Sequence, residues 1–227
     1  MSILGTDFKW LFGKLDILEM LFPSDVACIF CGNEALLDKY HVCEKCTQEL
    51  IEVDTCDNIL SSVSELDDML AAFRYSGNVA EAIKRFKYRN CPYLGKEFSR
   101  FMEIKPEWRT DFIVPVPLHR SRERARGYNQ CRLLAEGISE RYGIPINENA
   151  LKRIHKTRKQ ALLETEERQT NLRGAFEAFE SECSGKAVLL IDDVCTTGST
   201  LRECARELKI KGATHVYALV FALSKIN

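Results

Sequence analysis

Residues 188–200, Val-Leu-Leu-Ile-Asp-Asp-Val-Cys-Thr-Thr-Gly-Ser-Thr, constrain the fold more than any other stretch of the chain. Four apolar residues followed by two adjacent carboxylates read as a buried strand that delivers charge to its carboxyl end. A turn of hydroxyls and glycine then opens a helix, the place where open parallel sheets bind their ligands. Backbone N–H groups around Thr197, Gly198 and Ser199 can cradle a phosphate at such a helix start, and the helix dipole adds attraction. Gly198 permits a positive φ and a close backbone approach. Thr196, Thr197, Ser199 and Thr200 offer hydroxyl donors. Asp192 and Asp193 would repel a phosphate, and suit sugar hydroxyls or a hydrated magnesium ion instead.

The same segment also fits the acidic strand of a nucleoside triphosphatase, but that reading requires a G-x4-G-K-[ST] partner. Gly13-Lys14, Gly95-Lys96 and Gly185-Lys186 are followed by Leu15, Glu97 and Ala187, so the partner is missing.

Around this segment the chain alternates. Strands are expected at 69–75, 111–117, 186–191 and 214–222, and helices at 79–86, 128–142 and 200–211. The apolar residues of the later strands run together, as in a sheet covered on both faces. Alternation of this kind predicts an α/β fold with a mostly parallel sheet and right-handed crossovers. Residues 150–170 are polar, basic and then acidic, without a period.

After the second expected strand, Arg120, Arg122, Arg124 and Arg126 crowd together with only Glu123 opposing. Such a cluster suits pyrophosphate or nucleic-acid phosphate. The formal net charge of the whole chain is -1, so attraction for a polyanion has to come from local strips like this one.

Ten cysteines fall in a chain that shows no secretory signal in its first residues. Reduced thiols and metal binding in a cytoplasm are therefore expected over a disulfide framework. Cys28-x2-Cys31 and Cys43-x2-Cys46 supply four thiolates in two close pairs, the spacing of a structural zinc knuckle. Ligation would provide much of its folding energy, roughly 10 kcal/mol or more. His41 reads as a neighbour of this site and Cys56 as a free thiol. The apolar lead from Trp10 to Phe22 is interrupted by Lys14, Asp16 and Glu19 and is too short to span a bilayer. It reads as a helix packed on the protein's own body, with an interfacial helix at the inner face of the membrane as the alternative.

Residues 188–200 resemble the phosphoribosyl pyrophosphate (PRPP) loop of the type I phosphoribosyltransferases. Val-Pro-Val-Pro-Leu-His at 114–119, Arg-Gly-Tyr-Asn-Gln at 126–130, Gln160, Arg168, Asn171 and the preceding cysteine knuckle together resemble the ComF family. The resemblance implies a zinc module with its helical lead over residues 1–60 and a phosphoribosyltransferase-like domain over 61–227. It places Asp192 and Asp193 on ribose hydroxyls and Thr196, Thr197, Gly198, Ser199 and Thr200 on the 5-phosphate, with magnesium bound alongside PRPP. The arginine strip becomes a pyrophosphate loop, and Lys156, Arg158 and Lys159 belong to a mobile loop that covers PRPP. Thr196 stands where the hypoxanthine-guanine enzymes carry an aspartate, which argues against 6-oxopurine acceptors. No general base is evident, so the acceptor stays open. The implied setting is natural competence, the uptake of transforming single-stranded DNA, with a ComFA-like helicase as partner. A noncatalytic single-stranded DNA adaptor, using the arginine strip with Tyr128 and the Lys152–Lys159 cluster, is the alternative from a different class. A PRPP-responsive regulator is the third.

Overall fold

A computed structural model describes residues 27–154 and 174–224. The apolar lead lies outside the described residues, as do Lys156, Arg158, Lys159, Gln160, Arg168 and Asn171.

Two short helices, α1 (Glu44–Glu49) and α2 (Asp57–Leu60), precede β1 (Asp68–Arg74), α3 (Gly77–Tyr88) and α4 (Leu94–Ser99). There follow β2 (Phe112–Pro115), α5 (Arg120–Arg126), α6 (Gln130–Tyr142), β3 (Leu151–Arg153), β4 (Phe176–Ala178) and α7 (Glu180–Cys183). The order closes with β5 (Ala187–Cys195), α8 (Ser199–Ile210) and β6 (His215–Leu223).

The main sheet has the order β1-β6-β5-β2 with every pairing parallel. Beyond β2, Ile146 bridges Ile113 in parallel and adds one more rung. The chain therefore leaves β5 towards β6 in one direction and leaves β2 towards Ile146 in the other. The boundary between β2 and β5 is where strand order reverses, and a crevice opens at the carboxyl ends of strands at such a point.

Both faces of the sheet are covered, which is why β5 and β6 are apolar at nearly every position. Val188, Leu190, Val216 and Val220 pack with Leu201, Ala205 and Leu208 of α8. Leu189, Ile191, Leu219 and Phe221 pack with Ile83 and Phe86 of α3, Phe98 of α4 and Leu134 of α6. The cysteine segment joins this second core. Phe30 is fully buried, stacked on Phe98 and Phe221 at centroid distances of 5.9 and 6.3 Å. Arg85 on α3 donates to the carbonyls of Ile29 and Phe30.

Two elements differ from the sequence expectation. The arginine strip is not a loop: His119 caps it by accepting from the Ser121 amide at 3.1 Å, and Gly127 ends it in the left-handed region. Arginine and alanine are good helix formers, and polar residues all round conceal any apolar period. The aperiodic stretch after Ala150 holds β3, which pairs antiparallel with β4. Strands of three residues are too short to display alternation.

Candidate active site

Asp192 and Asp193 sit on β5 beside the β2 boundary, and the strand continues past them to Cys195. They are more enclosed than a strand-end position implies, with 9% and 4% of their surface exposed. Successive side chains of a strand point to opposite faces, and each acid meets its own partner. Asp192 Oδ1 accepts from Cys131 Sγ on α6 at 3.2 Å and from the Asp193 amide at 2.9 Å. Asp193 Oδ1 lies 2.8 Å from Lys87 Nζ on α3. Its Oδ2 is buried without a hydrogen-bond partner among the described residues. Burial, then the neighbouring charge of Asp193, pushes Asp192 up to about 7, although Lys87 and the Cys131 thiol pull the other way. Burial likewise raises the Cys131 thiol well above its ordinary value. Burial alone would lower Lys87, but the attraction of Asp193 outweighs it and raises the ammonium.

The turn after β5 is built around a left-handed glycine. Gly198 caps α8 with φ +74°, and a Cβ there would stand 2.9 Å from Val63 Cγ2. Thr196 is exposed and Thr200 half-buried. Thr197 and Ser199 share a hydrogen bond of 2.7 Å between their hydroxyls. The Ser199 amide also points at Thr197 Oγ1, at 3.4 Å.

Because the arginine strip is helical, it divides between two faces. Arg120 and Arg124 are exposed, whereas Arg122 and Arg126 are half-buried. On β3, burial first, then the charge of Arg122, lowers the Arg153 guanidinium, while Cys204 and Asp192 pull it back up. The Arg153 guanidinium lies over the Phe176 ring, 5.1 Å from its centroid. Arg126 turns away, over the Tyr88 ring and onto Gln130. A cavity of about 180 Å³ between β2, α5 and β3 is lined by Pro117, Arg120, Glu123, Asn129, Glu148 and Arg153. The half-buried Tyr128 ring lies tilted against Phe86, and its hydroxyl donates to the Phe86 carbonyl.

Cys28, Cys31, Cys43 and Cys46 bring their sulfurs within 4.8 Å of one another. Cys31 and Cys43 Sγ are 3.9 Å apart, close to the edge of about 3.8 Å for a tetrahedron with Zn–S bonds of about 2.3 Å. The Cys43 amide and Asn78 Nδ2 each point at a sulfur, at 3.4 Å, the outer contacts that thiolate ligands take. Burial raises Cys28, but the amides of Cys43, Cys31 and Phe30 outweigh it and bring that thiol to about 7. The four residues thus fit zinc, which would tie the two turns together. His41 instead faces Glu97, with Nδ1 3.1 Å from Oε2.

Sequence reasoning missed Lys87 and Cys131, and took Arg153 only as part of the Lys152–Lys159 cluster. Lys87 had a signal: it lies one turn beyond Ile83 and beside Phe86, on the buried stripe of α3 where a solvated lysine has no place. Cys131 and Arg153 had none, because long-range packing alone brings them to the acids.

A family model described as the phosphoribosyl transferase domain matches residues 131–226, from the first turn of α6 through β6. Competence protein F of Haemophilus influenzae is 31% identical over 196 residues, covering 82% of this chain and 86% of that protein. The chain belongs to the ComF family. Competence protein ComFC of Bacillus subtilis is 28% identical over 207 residues, covering 86% of this ComF chain and 82% of its own. A DNA utilization protein, YhgH of Escherichia coli, is 28% identical over 198 residues, covering 83% and 86%. Among solved structures, the glutamine PRPP amidotransferase of Bacillus subtilis is 20% identical with a TM-score of 0.37, covering 58% of this chain and 25% of that larger one. Within the ComF frame, the phosphoribosyltransferase-type domain carries the acid pair and the turn after it. No helix among the described residues is long and apolar enough to cross a membrane.

Proposed function

We propose that the protein binds PRPP through the crevice at the carboxyl ends of β2 and β5, as a phosphoribosyltransferase-type protein serving natural competence. The observation that carries this reading is the junction of β5 and α8. Two acids stand beside a left-handed glycine that opens a helix N-terminus, at the point where strand order reverses. On this reading the backbone from Thr196 to Thr200 takes the 5-phosphate. Asp192 and Asp193 take the ribose hydroxyls, the orphan Oδ2 of Asp193 being an acceptor suited to one of them. Arg122 and Arg153 face the pyrophosphate. The acid pair and the pyrophosphate together suit a hydrated magnesium ion, which would offset charge gathering on the leaving group. The names of the relatives, two competence proteins and a DNA utilization protein, support the setting in DNA uptake.

Calorimetry with PRPP and magnesium tests the reading on wild type and on Asp192→Asn/Asp193→Asn. Wild type is expected to bind and the double variant to lose most of its affinity. Equal affinity in both proteins, or none in wild type, would remove the acids from the sugar site. The adaptor reading would require Tyr128 to stack on a base while its ring packs on Phe86 and the Phe86 carbonyl holds its hydroxyl.

A further inference from the structure

Lys87 belongs to no motif, yet it makes the ion pair that encloses the acid pair. It leaves α3 on the apolar stripe formed by Val79, Ile83 and Phe86. Its side chain is 19% exposed and reaches Asp193 Oδ1 at 2.8 Å. A lysine gives up solvation to lie there, and only a fixed charge opposite offsets that cost. The helix that carries it is held from several sides. Asn78 donates to Glu49 Oε2 at 2.6 Å and points at Cys46 Sγ, Arg85 grips the carbonyls of Ile29 and Phe30, and the Tyr128 hydroxyl meets the Phe86 carbonyl. The last turn of α3, and the ammonium with it, therefore has little freedom to drift.

Around the acids stand Lys87 from α3, Cys131 from α6, Arg153 from β3, and Cys204 from α8, with Cys195 on β5 itself. Lys87 contacts a carboxylate directly: it takes one oxygen of Asp193, while the other has no hydrogen-bond partner among the described residues. That division is what a hydroxyl-binding carboxylate needs. One oxygen is tethered and sets the plane of the group, and the second is presented as an acceptor.

We infer that Lys87 is a positioning residue for the sugar: it fixes Asp193 through Oδ1 so that Oδ2 meets a ribose hydroxyl. The inference rests on the PRPP reading above and adds a residue to it.

The experiment compares wild type, Lys87→Met and Lys87→Arg by calorimetry with PRPP and magnesium. Lys87→Met is expected to lose about tenfold or more in affinity, the scale of one charge-assisted hydrogen bond. Lys87→Arg, which keeps the charge and the tether, is expected to restore most of it. If Lys87→Met does not fold, Lys87→Gln, which removes the charge, carries the same expectation of loss. Measurable wild-type binding with an unchanged affinity in the uncharged variant overturns the role of Lys87 and leaves the sugar site standing. A loss that arginine does not rescue means a purely structural lysine and overturns it too. Absence of wild-type binding overturns the sugar site, and Lys87 with it.

Discussion

Cys131 donates its thiol to Asp192 across 3.2 Å, from the first turn of α6 to the carboxyl half of β5. A neutral donor of this kind leaves the carboxylate unsatisfied in charge, so Asp192 is held at about 7 by burial and by Asp193 beside it. The folded chain then binds the Asp192 proton more tightly than the unfolded chain does.

Stability should record that difference. Between the ordinary value of 3.8 and about 7, the folded state carries the extra proton, so stability falls as pH rises through that window and stays lower above it. Asp192→Asn removes the burden. It is expected to stabilise the chain above neutrality by on the order of 2 kcal/mol, and hardly at all near the acid end of the window. Urea unfolding of both proteins at the two ends checks this, and a gain independent of pH would contradict it.

Gly198 should be intolerant for two separable reasons. Its φ of +74° costs a substituted alanine about 1–2 kcal/mol, and the added Cβ meets Val63 Cγ2 at 2.9 Å. In a double-mutant cycle, Gly198→Ala with Val63→Ala is expected to recover the steric part, a coupling of about 1 kcal/mol, and not the conformational part. Purely additive losses would show that α2 and the segment after it give way instead.

The two faces of α5 should behave differently. Arg122→Ala and Arg153→Ala are each expected to weaken PRPP binding about tenfold, while Arg124→Ala, on the outer face, leaves it within about twofold. Titrations at two salt concentrations provide the readout. Equal effects at all three positions would mean that the strip acts only as diffuse charge.

Metal analysis should find about one zinc per chain. Because Phe30 lies in the same core as Phe98 and Phe221, Cys46→Ser is expected to lower the melting of the whole chain, not to add a separate early transition. Near-ultraviolet circular dichroism during thermal melting distinguishes the two outcomes.

What could be read from the sequence followed the range of the interactions. The strands at Asp68–Arg74 and His215–Leu223, and the stop of α6 at Gly143 with φ +69°, follow from local apolar runs and local capping. The acid pair and Gly198 were visible because one contiguous segment carries them. Lys87, Cys131 and Arg153 come from three other elements, and nothing near them in the chain announces Asp192 or Asp193. The helicity of Arg120–Arg126 was hidden for another reason: a short helix with no buried residue leaves no hydrophobic trace. β3 and β4 escaped because each supplies only three residues and its partner lies far along the chain.

Phe30 gives the cysteine knuckle a part in how this chain can be cut and recombined. Its ring fills space between Phe73, Phe98 and Phe221, so trimming the first sixty residues would leave an aromatic hollow open to water. Expression fragments that begin after the knuckle should be sticky and short-lived. An exchange of knuckles between relatives should succeed only when the donor brings an aromatic of matching shape, which ties the inheritance of the small module to that of the large one.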